Sequence, residues 1–320
     1  MIKYLFASYG NFSKAATLTK LLFLMTIGQL SCMYGLAQNA SIPLKRATVG
    51  KQVFYFDNGG KLKSPLKVYY FSPKANPDSL PIVLLMHGAH RDASAYIDGL
   101  MDAATVFNCV VVAPEFDKDT YPETDMYNLG NVYSKKQRTF NKEEDWTFSL
   151  IEPLFDELVK QIKSIDKGYY IYGHSAGGQF VHRFLMYEPN NRIIRAASAN
   201  PGWYTLPSED VNFPYGMKNS NIPVTNLPPM FAKKYFLLLG TADVIRESVD
   251  FNSSVQADAQ GKNRFERGQN FYKVASKKAA DLKTPFNWTE IYVPGIGHDN
   301  QGMSKFALAL FFMDIKNNNN

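Results

Sequence analysis

Apolar, β-branched and aromatic residues gather in eight short runs, at residues 52–57, 66–71, 82–87, 109–113, 169–172, 193–199, 235–239 and 290–293. Runs of that length, bounded by Gly, Pro, Asn and Ser, predict strands. Between the later runs the spacing changes to the helical period, at residues 93–107, 146–164, 176–186, 263–280 and 301–315. From residue 82 onward strand and helix therefore alternate. That alternation predicts an α/β fold, a mostly parallel sheet of about eight strands with helices on both faces. The first two runs are joined by Asn58-Gly59-Gly60, a hairpin-type turn, so the sheet is expected to begin antiparallel.

Two segments break the alternation. Residues 116–145 and 201–232 are long, polar and proline-bearing, and each follows the C-terminal end of a predicted strand. Open α/β sheets place their ligands at that edge, so both segments are expected to form lid-like loops beside a site. Residues 1–37 contain no acid, carry Lys3, Lys14 and Lys20, and then run apolar through LLFLMTIGQLSCMYGLA, the order of an export signal peptide. Gly35 and Ala37 stand at the small-residue positions of a cleavage site. Cleavage there would leave one domain over 38–316 and a solvated tail at 317–320, secreted or periplasmic. A second reading makes Cys32 a lipid-modified N-terminus, but Gln29 stands where the lipoprotein box has leucine. The apolar run is too short, and too interrupted by Gln29, to predict a retained membrane span.

Composition narrows the function. The chain of 320 residues, 45% hydrophobic, is long enough for one large core. Without the three leader lysines it has 32 basic and 29 acidic residues, a net charge of +3, which demands no anionic partner. The short cluster Lys135-Lys136-Gln137-Arg138 is followed at once by Glu143, Glu144 and Asp145, so no basic stripe for nucleic acid is expected. Cys109 is the one cysteine beyond the leader and lies in a buried-strand pattern, which excludes an internal disulfide and reads as an inert core thiol. The spacing of His87, His90 and Asp92 matches no zinc signature, and no G-x-G-x-x-G follows a first strand. No metal or organic cofactor is expected.

The candidate chemistry centres on YYIYGHSAGGQF, residues 169–180, where a strand pattern passes abruptly through Gly-x-Ser-x-Gly into a helix pattern. A sharp strand-to-helix turn lifts a serine hydroxyl clear of the sheet, and it needs neighbours without side-chain bulk. Ser175 is therefore the candidate nucleophile, with the N–H of Ala176 free to bind an oxyanion. A serine needs a base. Of the five histidines, His298 in VPGIGHDN follows the last strand on a glycine-flanked loop, whereas His182 lies two helical turns beyond Ser175. The candidate carboxylate to orient His298 is Asp243 in YFLLLGTADVIRE, ahead of Glu247, Asp250 and Asp299. A second oxyanion donor is expected from the loop after residues 82–87, with Ala89 N–H first and His90 N–H second. Candidate substrate contacts are His90, His174, Trp203 and Tyr204, followed by Tyr127 and Tyr133.

The segments HGAHRDASAY, GHSAGGQF, GTADV and GIGHD together resemble the α/β-hydrolase superfamily over about residues 50–316. They look like its secreted esterase branch, which includes polyhydroxyalkanoate depolymerases and feruloyl esterases. The resemblance implies the α/β-hydrolase fold and an exported serine hydrolase cleaving small or polymeric carboxylic esters. The single cysteine departs from the disulfides often found in that branch. A serine peptidase of the same fold, or a catalytically silent binding protein, are the alternatives.

Overall fold

The computed structural model describes residues 44–313 except Ala47, Glu247 and Val249. The leader, its cleavage site, Cys32 and the C-terminal tail lie outside the described residues. The strands are β1 (Gly50–Phe56), β2 (Leu66–Ser72), β3 (Ile82–Met86), β4 (Val110–Glu115), β5 (Tyr133–Ser134), β6 (Thr139–Phe140), β7 (Tyr169–His174), β8 (Ile193–Ala199), β9 (Tyr235–Gly240) and β10 (Trp288–Val293). Eight of them form one sheet in the order β1-β2-β4-β3-β7-β8-β9-β10, and β5 and β6 pair separately. β2 is antiparallel to β1, as the Asn-Gly-Gly turn between them requires, and also to β4, and every pairing from β4 across to β10 is parallel.

Successive strand residues feed opposite faces. Leu84 and Met86 join one core while Val83 and Leu85 join the other, and the same split separates Val110 and Val112 from Val111 and Ala113. The first core is closed by the helices Ile151–Ile162, Ala176–Tyr187 and Arg264–Asp281, and the second by Ala93–Asp98, Met101–Phe107 and Asn300–Phe312. With both faces covered, the central strands read as continuous apolar runs. Among the described residues no helix is long and apolar enough to cross a membrane. Cys109 is buried and has no disulfide partner among the described residues, and burial pushes its thiol up to about 12.

The departures from the sequence reading are local. Residues 93–107 form two helices because Gly99 N–H caps the first turn-end by donating to Ala95 O, and buried Leu100 turns the chain into the second. The helix expected from residue 146 starts at Ile151, after 3₁₀ turns. The segments 116–145 and 201–232 carry structure of their own. The first holds the helix Asp125–Asn128 and the β5–β6 hairpin, and the second the helix Leu227–Ala232. Tyr127, Val132, Tyr204, Leu206, Met217 and Ile222 anchor them in the first core.

Three histidines are buried in this framework. Each uses both or one of its ring nitrogens internally: His87 Nε2 accepts from Phe116 N–H at 3.0 Å, and His182 Nε2 accepts from Thr205 N–H at 3.2 Å while its Nδ1 meets Gly178 O at 3.0 Å. Burial lowers His87 from 6.5 to about 3 and holds His174 and His182 well below 6.5, with Arg183 adding to the effect on His182. The folded chain keeps them neutral where the unfolded chain protonates them. Below about pH 6.5 the unfolded state thus binds more protons, and stability falls as the pH drops, by up to about 1.4 kcal/mol per pH unit for each histidine. Guanidinium denaturation between pH 7.5 and 5 should show this decline. His182→Gln should flatten it by about one proton, and an undiminished slope would mean that His182 is not held neutral.

Candidate active site

The turn between β7 and the helix Ala176–Tyr187 puts Ser175 at φ 56° and ψ −116°. The glycines around it leave little room for side chains. A Cβ on Gly177 would lie 2.0 Å from Met86 O, one on Gly173 would lie 2.2 Å from Gly177 O, and one on Gly178 would lie 3.1 Å from Ala199 O. Ser175 N–H donates to Ala199 O at 2.9 Å, pinning the turn to the end of β8.

His298 follows β10, on the loop before the helix Asn300–Phe312. Its Nε2 lies 2.9 Å from Ser175 Oγ, and its Nδ1 lies 2.7 Å from Asp243 Oδ2. Asp243 follows β9 and is only 2% exposed, whereas the His298 side chain is 28% exposed. Asp243 Oδ1 meets Arg264 Nη1 at 3.4 Å, and Arg264 Nη2 donates to Ser248 Oγ at 3.0 Å. The other carboxylates weighed from sequence are engaged elsewhere. Asp299 caps its helix by accepting from Gln301 and Gly302 N–H, and Asp250 faces His90 at 3.5 Å. Glu247 is outside the described residues. An Nδ1–H donated to Asp243 would leave Nε2 to accept from the Ser175 hydroxyl. That arrangement can take a proton from an alcohol as it attacks.

The loop after β3 approaches from the other side. A Cβ on Gly88 would lie 3.9 Å from Ser175 Cβ, an ordinary contact distance, and 2.6 Å from Tyr96 Oη, so the glycine leaves room for the Tyr96 hydroxyl beside the turn. Ala89 and Ala176 line one cleft with Ser175, and among the described residues neither N–H has an acceptor. His87 braces this loop from beneath through its ring and through its carbonyl, which accepts from Tyr127 Oη at 2.7 Å. His87, His90 and Asp92 do not converge. His90 projects into solvent and Asp92 caps the helix Ala93–Asp98 by accepting from Ala95 N–H at 2.9 Å. Among the described residues no cluster of His, Cys, Asp and Glu could hold a metal.

The cleft has a volume of about 510 Å³. Trp203 lines it, its ring 4.2 Å from the Arg183 guanidinium and 4.6 Å from the Tyr215 ring. The remaining expected substrate contacts lie elsewhere. Tyr204 is buried against Phe271, ring centroids 4.4 Å apart, because the chain turns inward after Trp203. His174 is buried under His298, 4.6 Å between rings, with Nδ1 3.3 Å from Tyr96 Oη. The His90 side chain is 87% exposed, at the rim. Tyr127 is buried below the loop after β3, and Tyr133 lines an adjoining cleft.

Sequence reasoning missed three residues. Asn200, at φ 46°, ties two loops together: its Nδ2 donates to Gly297 O at 2.8 Å, beside His298, and its Oδ1 accepts from Gly240 N–H at 2.8 Å, at the end of β9. Arg264 gives Asp243 a second partner. Gln179, four residues after Ser175 on the same helical face, lines the cleft. Its spacing was a readable signal; the other two act through folds of the loops that no spacing encodes.

No protein-family model and no curated protein matches the sequence. Solved structures do. Poly(aspartic acid) hydrolase-1 from Sphingomonas sp. KT-1 is similar at 36% identity and a TM-score of 0.78, over 83% of this chain and 100% of that one. The LpqC poly(3-hydroxybutyrate) depolymerase from Bordetella parapertussis is similar at 29% identity and a TM-score of 0.77, over 83% of this chain and 91% of that one. An S-formylglutathione hydrolase from Agrobacterium tumefaciens, at 16% identity and a TM-score of 0.55 over 82% and 94%, shares the fold. The eight-stranded sheet, the glycine-bounded turn that carries Ser175 and the full-length match to the Sphingomonas hydrolase agree, and the chain belongs to the α/β-hydrolase superfamily, as a hydrolase of its esterase branch.

Proposed function

We propose that this chain is an exported serine hydrolase that cleaves carboxylic esters through an acyl-enzyme. Ser175 Oγ attacks the acyl carbon as His298 Nε2 takes its proton. Asp243, bonded to Nδ1–H, holds the imidazole in that tautomer and balances the imidazolium. The oxyanion forms against Ala89 and Ala176 N–H, each such donor lowering the barrier by about 3 kcal/mol. His298 then hands the proton to the leaving alcohol. Water enters on the same path and gives its proton to His298, which returns it to Ser175 Oγ as the acid is released. The reading is carried by the unbroken run of hydrogen bonds from Ser175 Oγ through His298 to Asp243. Export rests on residues 1–37, and N-terminal sequencing of the secreted form should begin at Gln38.

The Sphingomonas and Bordetella hydrolases are both named for polymers. A polymeric or oligomeric substrate also suits the cleft, which shares Asp125 and Lys135 with a neighbouring cleft of about 420 Å³. One specific observation favours a second reading, cleavage of an amide: the polymer named for the Sphingomonas relative, poly(aspartic acid), is joined by amide bonds.

p-Nitrophenyl esters of increasing chain length, set beside aminoacyl p-nitroanilides, separate the readings. Ester turnover without anilide turnover is expected, and fast anilides with inert esters would reverse the assignment. Ser175→Ala should lower kcat by at least about 10⁴-fold while thermal melting stays put; retained activity would require another nucleophile. Asn200→Ala loosens the loop behind His298 and should lower kcat roughly 10- to 100-fold with little change in KM.

A further inference from the structure

The floor of the cleft carries an amide locked at one end and open at the other. Gln179 is 6% exposed and lies one helical turn below Ser175, its N–H donating to Ser175 O at 3.0 Å. Its Oε1 accepts from Asn128 Nδ2 at 3.0 Å and from Arg183 Nη1 at 3.1 Å. A guanidinium has only donors, so oxygen is the amide atom that must face Arg183. Turning the amide over would set N–H groups against N–H groups. Arg183 is itself fixed, by Thr205 Oγ1 at 2.8 Å and Asn128 O at 3.0 Å, with Trp203 across its face. Nε2 is therefore directed away from this network, and among the described residues it donates to no acceptor. Gly202 stands beside it. A Cβ there would lie 3.0 Å from Nε2, so the missing side chain keeps the donor uncovered at the cleft, while Gly202 O is held by Arg267 Nη1 at 2.7 Å.

We propose that Gln179 Nε2 is a specificity-determining donor, which receives a second carbonyl oxygen in the acyl part of the substrate. Four residues of helix separate Gln179 from Ser175 by about 6 Å along the axis. That is the scale of the step from the attacked carbonyl to the next one in a chain of short acyl repeats. An acceptor is also what the surroundings favour: Arg183 is fully buried with no carboxylate in contact, and burial lowers it to about 9. The inference rests on the serine-esterase reading above and adds to it the class of acyl group, one with an oxygen acceptor a repeat away.

The test compares p-nitrophenyl methyl succinate with p-nitrophenyl hexanoate, equal in acyl length and differing by the second ester group. The readout is the ratio of the two kcat/KM values, which a general loss of activity does not move. The protein should prefer the succinate by about 10-fold, the worth of one hydrogen bond. Gln179→Glu keeps an oxygen for Arg183 and Asn128 and replaces the open donor by an acceptor, and it should bring the ratio to about one. Gly202→Ala leaves the buried network intact, covers Nε2 with a methyl group, and should move the ratio the same way. Either folded variant decides the matter. A preference for succinate that survives in it, or a protein with no preference at all, overturns the role of Gln179. A protein inert toward both esters would instead overturn the esterase reading itself.

Discussion

Everything at this site depends on backbone touching backbone where β7 turns into its helix. Ser175 occupies a conformation that costs a non-glycine residue on the order of 1 to 3 kcal/mol, so the surrounding structure must over-determine it. It does so because Gly173 and Gly177 let β3, β7 and the helix approach to distances at which a Cβ would collide, and Gly178 lets the helix lie tight against the end of β8. The close approach then sets the neighbourhood. β3 adjoins β7, so its following loop arrives at Ser175 with a free amide. β9 and β10 lie further along the same parallel sheet, so their following loops deliver Asp243 and His298 to the same edge. Residues 123 positions apart meet at 2.9 Å because parallel strands all end there together.

The electrostatics of the site follow from how each buried group is paired. Asp243 divides its oxygens between His298 and Arg264, so a carboxylate that is almost wholly buried keeps two donors. A buried charge with one partner removed is costly, and the second partner would steady Asp243 if His298 exchanges its proton as proposed. His174 matters for the opposite reason. Its ring lies 4.6 Å from that of His298, and a charge there would repel an imidazolium forming above it. Burial keeps His174 neutral and leaves the space under His298 free of like charge.

How much of this was legible in the sequence depended on whether the signal was local. The eight strand runs, the hairpin start and the glycines around Ser175 are short-range patterns, and the structure has them with small shifts at element ends. His298 and Asp243 were reachable because each sits within a few residues of a strand end. Asn200 and Arg264 were not, since what makes them matter is which loop passes beside them. Trp203 and Tyr204 show the limit more sharply. They are adjacent and equally aromatic, yet one lines the cleft and the other is core, because a single turn of backbone decides which side chain faces in. His174, a candidate substrate contact by sequence, is likewise buried by strand alternation, which presents Ser175 next to it.

The walls of the cleft were the least legible part, and their structure bears on how a substrate is chosen. Residues 116–145 and 201–232 read as polar loops, but Tyr127, Tyr204, Met217 and Ile222 peg them into the core at intervals of a few residues to a dozen or so. Polar groups are pegged as firmly: Arg183, Asn128, Gln179 and Thr205 hold one another beneath Trp203. Fixed walls cannot mould themselves to a ligand. Selection then falls to a few atoms already in place, and a misplaced acceptor in the substrate leaves a donor unsatisfied, a larger loss than a missing apolar contact. A cleft built in this way would discriminate by the pattern of oxygens along an acyl chain before it discriminated by the chain's bulk.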